Sequence, residues 1–116
     1  MMLDSGDILC MDVTPTHTTL QFLQWRDPDK DEVKEDDVVT LNGAATARLI
    51  WAMRQAGRGV EITSPQIKSG GKGSLYVSSH AKLFTLHGYE NCATLTLPEL
   101  YMALCVLTTR AWRLFT

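Results

Sequence analysis

The stretch CATLTLPELYMALCVL, residues 92–107, carries the strongest local signal in the chain. Thr96 and Glu99 stand in the T-x-x-E arrangement of a helix capping box, and Pro98 falls in the first turn, where its missing N–H does no harm. Apolar residues then recur at spacings of three and four, which predicts an amphipathic helix that continues nearly to residue 116. The predicted buried stripe comprises Leu97, Leu100, Tyr101, Leu104, Leu107, Ala111 and Leu114. Directly before the capping box, Cys92–Leu95 predicts a short strand.

The same succession of strand and helix occurs once before, around residues 38–57. Val38–Leu41 predicts a strand, and Asn42 is a favourable N-cap for a helix over residues 43–56 that Gly57 ends. Two such units in one chain indicate an internal duplication, although residue identity between the halves is low.

Further strands precede each helix. Short apolar or alternating segments predict them at Ile8–Val13, at Thr18–Trp25, around Val60 and Ile62, around Leu75 and Val77, and over Leu83–Leu86. We therefore expect an α+β fold in which two antiparallel β-sheets are each followed by a helix. Residues 1–116 would form a single domain of two pseudo-repeats, about 1–57 and 58–116, with an acidic hairpin at 26–37.

The formal net charge of −2 conceals an uneven distribution. Residues 1–37 carry three Lys/Arg and ten Asp/Glu, whereas residues 38–116 carry eight Lys/Arg and three Asp/Glu. Most of the negative charge lies in the 26–37 segment, so the rest of the chain is neutral to mildly basic. Such a polarity can orient an anionic ligand.

Composition excludes several classes of protein. With 45% hydrophobic and 21% charged residues, the chain is neither collagen-like nor disordered. Its apolar runs are only a few residues long, so we expect no membrane span, and acidic residues close to Met1 argue against a signal peptide. Cys10, Cys92 and Cys105 form no C-x-x-C pair, which favours reduced, structural thiols in the cytoplasm.

Signals for catalysis and metal binding are weak. His17, His80 and His87 form no HxH or HxxxH pair, and Ser78–His80 joins hydroxyls to a base without the G-x-S-x-G frame of a nucleophile elbow. The Gly70–Gly73 segment lacks the P-loop pattern and precedes a strand instead of a helix. The sequence therefore predicts no enzymatic activity, no cofactor and no metal site.

The clearest binding feature is the basic, glycine-rich stretch KSGGKGSLYV, residues 68–77. Its backbone N–H groups can approach phosphate oxygens, its lysines supply positive charge, and its tyrosine lies on a strand. Basic groups interleaved with aromatic rings are typical of proteins that bind single-stranded nucleic acid. The candidate nucleic-acid-binding residues are Lys68, Gly71, Lys72, Tyr76, Lys82, Phe84, Trp25 and Arg58.

The aromatic residues have a second interpretation. A sheet that is covered on one face by a helix needs aromatic side chains simply to fill its core. Phe22 and Phe84 fit that structural role, whereas Tyr76 and Trp25, which flank charged loops, fit both roles.

The order of strands and helices resembles the Whirly-type fold of the ssDNA-binding transcriptional-regulator superfamily. That family carries a Lys-Gly-Lys-Ala-Ala-Leu motif on a strand of its DNA-binding sheet. Gly71-Lys72 and Leu75 fall at matching positions, Ser74 is small like the family's Ala, and Gly70 and Gly73 replace a Lys and an Ala. The resemblance implies two sheet-plus-helix halves about a pseudo-twofold axis. It also implies dimers or tetramers that bind single-stranded DNA, or guide RNA in one branch, with little sequence preference.

We therefore predict a small protein of phage or bacterial type, without catalytic activity, that binds single-stranded nucleic acid, in the first place DNA, during replication or transcription. The expected partners are single-stranded DNA or RNA, further copies of the chain, and RNA polymerase or replication proteins, without a membrane. Met102, Val106 and Ala103 lie away from the predicted stripe of the last helix and predict an oligomer interface. Two alternatives stay open. One is a protein-interaction module that inhibits or recruits a host machine through the acidic hairpin, and the other is an RNA-binding version of the same fold.

Overall fold

Two three-stranded antiparallel β-sheets, each followed by an α-helix, make up the architecture of a computed structural model that describes residues 2–14, 16–23, 37–68, 74–88 and 91–110. The first half contains β1 (Ile8–Val13), β2 (His17–Leu23), β3 (Asp37–Asn42) and helix α1 (Gly43–Gly57). The second half contains β4 (Tyr76–His80), β5 (Leu83–His87), β6 (Cys92–Leu95) and helix α2 (Leu97–Arg110). The strand orders are β1-β2-β3 and β4-β5-β6. The predicted α+β class with its repeated order of elements is confirmed.

Each sheet has an apolar inner face and a largely polar outer face. In β2, Leu20 and Phe22 are buried, and the residues opposite them in β1 belong to the same face, because paired residues of an antiparallel sheet lie side by side. In the second sheet, Val77 and Leu86 are paired and both buried. These inner faces form one hydrophobic core together with the helices.

The two halves interlock through their helices. Helix α1 contacts β2 and β3 of its own sheet and also β4, whereas α2 contacts β5 and β6 of its own sheet and also β1. The helices contact each other, and the Tyr101 hydroxyl donates a hydrogen bond to the Gly57 carbonyl at the end of α1 (2.9 Å). Each helix therefore packs on its own sheet and on the first strand of the other half.

The predicted helix caps are present in the structure. The Asn42 side chain accepts a hydrogen bond from the Ala45 N–H (2.9 Å), and the Glu99 carboxylate accepts one from the Thr96 N–H (2.9 Å). The end of α1 differs by one residue from the prediction, and the glycine that terminates the helix lies two positions later than predicted. Gly57 is still helical, and the left-handed residue that terminates the helix is Gly59, with φ of +86°.

The segment around Val60 and Ile62, predicted as a strand, does not form one. It makes two isolated bridges to the outer edge of the second sheet, Thr63 with Ser78 and Ile67 with Leu75. Between these bridges the segment has one residue more than its partner, and Pro65 has no N–H to donate, so a regular ladder cannot form. Hydroxyl groups replace the missing ladder bonds, because Ser64 Oγ accepts from the Val77 N–H (3.0 Å).

The buried stripe of α2 is rotated relative to the prediction. Ala103, expected on an outer face, is fully buried, whereas Leu97 and Tyr101 are 37% and 51% exposed. Because Ala103 is small, it allows the helix backbone to approach the core. Of the two predicted interface residues, Met102 is 60% exposed, while Val106 is half-buried and packs partly against the protein's own core.

Residues 3–7 form a turn that covers the free edge of β6. The Thr94 N–H donates to Asp7 Oδ2 (3.1 Å), and Ser5 Oγ donates to the Thr94 carbonyl (3.0 Å). The Asp4 N–H donates to Glu99 Oε2 (2.9 Å), which ties the start of the described chain to α2. The turn thereby satisfies backbone groups that an open sheet edge would leave unpaired.

Further predictions concern the cysteines, a membrane span, the acidic hairpin and the end of α2. The three cysteines are free thiols, of which Cys10 is half-buried while Cys92 and Cys105 are exposed, so the latter two are not core thiols. Within the described residues, neither helix combines the length and the apolar character that a membrane crossing needs. The acidic hairpin, apart from the backbone of Asp37, and the predicted continuation of α2 beyond Arg110 lie outside the described residues.

Candidate nucleic-acid interface

The structure divides the predicted site residues into two groups at opposite ends of the β4–β5 hairpin. Tyr76 lies at the open end of the hairpin, where β4 begins, and Lys82 lies in the turn at the other end. The four residue steps from Tyr76 to His80 separate these ends by about 13 Å. The residues predicted as one interface are therefore two surfaces, which are described in turn.

The first surface is built on a stacked pair of rings. Tyr76 and His87 stand opposite each other on β4 and β5, and their ring centroids are 4.2 Å apart with planes within 4° of parallel. Ser78 Oγ lies 2.8 Å from His87 Nε2 and holds the imidazole in place. Burial lowers the pKa of His87, so the ring is neutral at pH 7. The pair is a fixed, uncharged aromatic platform on the outer face of the sheet.

A depression of about 390 Å³ surrounds this platform, and we call it the Tyr76–His87 depression. Its lining consists of Gln66, Ser74, Tyr76, His87, Gly88, Asn91 and Cys92. None of these described lining residues is acidic, and most of them can donate or accept hydrogen bonds. The depression therefore has the chemistry of a site for a flat, polar ring system such as a nucleobase.

The glycine-rich stretch begins and ends beside this depression. Ile67 and Leu75 exchange two backbone hydrogen bonds (2.6 and 3.0 Å), and the chain from 68 to 74 is closed by this pair. Lys68 is exposed directly after the pair, and Ser74 lines the depression. Gly71 and Lys72 lie outside the described residues, as does Trp25.

The second surface is a cleft of about 430 Å³ between the end of α1, the β4–β5 turn and the start of α2. We call it the Arg58–Lys82 cleft, because these two exposed, predicted site residues line it together. Val60, Leu83 and Leu97 contribute exposed apolar surface. The lining residues are Ala56, Gly57, Arg58, Gly59, Val60, Glu61, Ser79, His80, Ala81, Lys82, Leu83, Phe84, Leu97 and Leu100.

Lys82 owes its position to an unusual turn. Ala81 and Lys82 form a two-residue hairpin loop, and both have positive φ, 52° and 65°. A type I′ turn requires this left-handed pair, which Asn and Gly adopt at much lower cost than Ala and Lys. Backbone strain is thus stored beside the Arg58–Lys82 cleft.

One predicted stacking residue is not available for that role. Phe84 belongs to the inner face of β5 and is 2% exposed, so its ring has no face free for a base. The prediction that Phe84 stacks on nucleic acid is therefore wrong, and the core interpretation applies to it. Phe84 lines the floor of the Arg58–Lys82 cleft, where α2 and the sheet meet.

The Ser78–His80 segment does not assemble a nucleophile and a base from its own residues. The Ser78 hydroxyl is hydrogen-bonded to the His87 ring, and Ser79 Oγ donates to the Val60 carbonyl (2.7 Å). His80 Nδ1 lies 3.3 Å from the Glu61 carboxylate on the exposed surface. Among the residues that the structure describes, no three His, Cys, Asp or Glu side chains are grouped as metal ligands would be.

Sequence reasoning missed His87 and the amide side chains of Gln66 and Asn91. Their common signal is position, because each lies on the outer face or the edge of the second sheet close to Tyr76. Recognising them needed the register of β4 against β5, which pairs Tyr76 with His87. Comparison with protein-family models, with curated proteins and with solved structures finds no match to this chain.

Proposed function

We propose that this protein binds single-stranded nucleic acid, in the first place DNA, with little sequence preference, and acts in replication or transcription. The observation that carries the proposal is the stacked Tyr76–His87 pair, fixed by Ser78 on an exposed sheet face. Every base has a π-face, so a ring platform binds bases without selecting among them.

The surroundings of the platform support the same proposal. None of the described residues that line the Tyr76–His87 depression is acidic, so none of them repels phosphates. Lys68 is exposed two residues after Gln66 of the lining and can follow the backbone, while Gln66 and Asn91 have the groups that hydrogen-bond base edges. A platform, a cation and polar side chains are the components that such sites combine.

The resemblance to the Whirly-type fold adds a second line of support. That family arranges two sheet-plus-helix halves about a pseudo-twofold axis, and here each helix contacts its own sheet and the first strand of the other half. We carry over from the resemblance the proposals of a phage-type origin, of RNA polymerase or replication proteins as further partners, and of assembly into dimers or tetramers.

The central test is the affinity for a fluorescent oligothymidine of Tyr76→Ala, with Tyr76→Phe as the matched control. Removing the ring should weaken binding by about 1–3 kcal/mol, whereas Phe keeps the ring and should bind nearly as the wild type does. Lys68→Ala should lower the slope of log affinity against log salt by about 0.7, the value for one phosphate contact on a single strand. Equal affinities for the Ala and Phe variants would refute the platform.

Competition separates the versions of the proposal. Duplex DNA should compete poorly, because its bases are not free to stack on the platform. If RNA of the same length displaces the oligothymidine more effectively than unlabelled DNA does, the protein is the RNA-binding version.

A protein-interaction module is the second candidate function, and the Arg58–Lys82 cleft favours it. Val60, Leu83 and Leu97 expose apolar surface there beside two cations, as docking sites for other proteins do. The acidic hairpin was the basis for this alternative in the sequence, and its residues 27–36 carry six acidic and two basic side chains.

Replacing residues 27–36 by a short Gly/Asn turn distinguishes the two functions. For the nucleic-acid protein, affinity should be unchanged or should rise most at low salt, where removal of like charge acts over the longest distance. An interaction module would show negligible DNA affinity before and after the replacement. Loss of DNA binding with the fold retained would place the strand at the hairpin instead.

A further inference from the structure

The outward face of α1 carries an arrangement of side chains that the sheet surfaces do not explain. Arg48, Trp51 and Arg54 are all exposed, and Arg58 continues their line just beyond the helix. Successive spacings of three, three and four residues keep them within one third of the helix circumference, opposite the seven buried residues. We call this set the arginine–tryptophan face. It spans about 15 Å from Arg48 to Arg58.

Trp51 is the most informative member of this face. It is 63% exposed, although a large apolar ring gains most by burial. Its neighbours along the exposed face are guanidinium groups, which are themselves suited to lie against aromatic planes. A solvent-exposed tryptophan between arginines adds little stability to the isolated chain. We therefore infer that a binding partner covers the Trp51 ring.

The charge of the arginine–tryptophan face is uncompensated within the described residues. No acidic residue occurs from Gly43 to Val60, and no ion pair of the described residues involves Arg48, Arg54 or Arg58. The helix dipole accounts for arginines in the last turn of α1 and beyond it, but not for Arg48 near its start. The face is therefore complementary to an extended anion.

We propose that the arginine–tryptophan face is a second binding surface for the single strand, on which Trp51 stacks a base and Arg48 and Arg54 hold phosphates. The proposal rests on the proposed function and extends it from one sheet to a helix. A ring flanked by cations matches the alternation of base and phosphate in a nucleic acid, whereas an acidic polypeptide has no flat ring at each charge. Arg58 also lines the cleft that contains Lys82, together with Glu61, whose carboxylate lies against His80.

Oligomer length separates the two surfaces experimentally. An oligothymidine of about 6 nucleotides can occupy one surface, whereas one of about 30 nucleotides is long enough for both. Trp51→Ala should weaken binding of the long oligomer by about 5-fold or more. Met2→Ala is the matched control, because Met2 is equally exposed and belongs to none of the proposed binding or assembly surfaces. It should bind the long oligomer as the wild type does.

Charge and fluorescence give two independent readouts. The Arg48→Ala/Arg54→Ala variant should lower the salt slope for the long oligomer by about 1.4, for two phosphate contacts. The long oligomer should quench tryptophan fluorescence less in Trp51→Phe than in the wild type. If Trp51→Ala proves less helical by circular dichroism, the Trp51→Phe and Arg48→Ala/Arg54→Ala variants decide whether the arginine–tryptophan face binds the long oligothymidine.

The outcomes distinguish this inference from the proposed function. If Tyr76→Ala binds weakly while the Trp51 and arginine variants match the wild type, the inference is overturned and the proposed function stands. If the wild type binds neither oligomer at low salt, the proposed function fails and the inference with it. Two other results overturn the inference alone. One is that poly-glutamate displaces the long oligothymidine as well as DNA of equal charge does. The other is that Trp51→Ala forms a smaller assembly of protein chains than the wild type while its affinity for the long oligothymidine is unchanged.

Discussion

Glu99 provides the sharpest test of how the start of the described chain is joined to α2. Its carboxylate is 9% exposed and accepts three hydrogen bonds: Oε1 accepts from the Thr96 N–H and hydroxyl, and Oε2 accepts from the Asp4 N–H. In Glu99→Gln one of these oxygens becomes an NH₂ group, which faces an N–H instead of accepting from it. We expect the free energy of unfolding to fall by about 2 kcal/mol, as for hydrogen bonds to a charged group.

The effect of pH on this contribution has a definite sign. Burial alone would raise the pKa of Glu99, but the hydrogen bonds from the Thr96 and Asp4 N–H groups and the Thr96 hydroxyl outweigh it and lower the pKa. A carboxyl group whose pKa is lower in the folded state stabilises the protein above its unfolded pKa. This stabilisation is lost as the pH falls through the folded pKa. The difference between wild type and Glu99→Gln should therefore be full at pH 7 and shrink below about pH 4.3.

Urea denaturation at several pH values measures this difference, and thermal denaturation should show a decrease in Tm of about 8 °C at pH 7. Glu61→Gln is the matched control, because it removes the same charge from an exposed position. The control should change stability by less than about 0.5 kcal/mol. A Glu99→Gln variant as stable as Glu61→Gln, or a difference that persists unchanged into acid, would refute the reasoning.

Three further predictions concern assembly, the core and the hairpin turn. Met102→Glu should give a smaller species in light scattering if this face joins copies of the chain, and an unchanged mass with an intact fold would exclude the interface. The fully buried hydroxyls of Thr18 and Thr46 are hydrogen-bonded (3.0 Å). Thr18→Val and Thr46→Val should each therefore lower the free energy of unfolding by about 1–2 kcal/mol in urea denaturation. The double variant should lose less than the sum of the two, and strictly additive losses would contradict the hydrogen bond between the hydroxyls. Ala81→Asn combined with Lys82→Gly should raise stability by about 1 kcal/mol and weaken nucleic-acid binding, and an unchanged urea midpoint would mean an unstrained turn.

The fold was largely predictable because its signals are local. Asn42 and the Thr96–Glu99 capping box each satisfy backbone groups within one helical turn, so the helix starts can be read from a few residues. The strands Ile8–Val13 and Cys92–Leu95 have the predicted bounds, because short apolar segments end at turn residues or at a capped helix. Where the prediction failed, at Val60 and Ile62, the pairing depends on the hydroxyl of one distant residue, Ser79.

The rotation of α2 shows a limit of periodicity. The predicted stripe combined Leu97, Tyr101 and Leu104 with two further leucines, Leu100 and Leu107. A second set at helical spacing consists of Leu100, Ala103 and Leu107. The structure buries the second set, since Ala103 allows closer packing and the Tyr101 hydroxyl can reach the Gly57 carbonyl only from the edge of the interface. Hydrophobicity alone favoured the larger side chains, whereas the contact between helices favours the smaller one.

The site was harder to predict than the fold, because it depends on strand register. Tyr76 faces His87 only if the hairpin turn consists of the two residues Ala81 and Lys82, and Ala-Lys is a poor signal for a turn that needs two left-handed residues. The register is instead imposed from the other face, where Val77 pairs with Leu86 in the core. A slip of one residue would expose these core side chains to water, so it is excluded energetically. The core therefore places the Tyr76–His87 pair on the outer face, and the strained turn that presents Lys82 is a consequence of the same constraint.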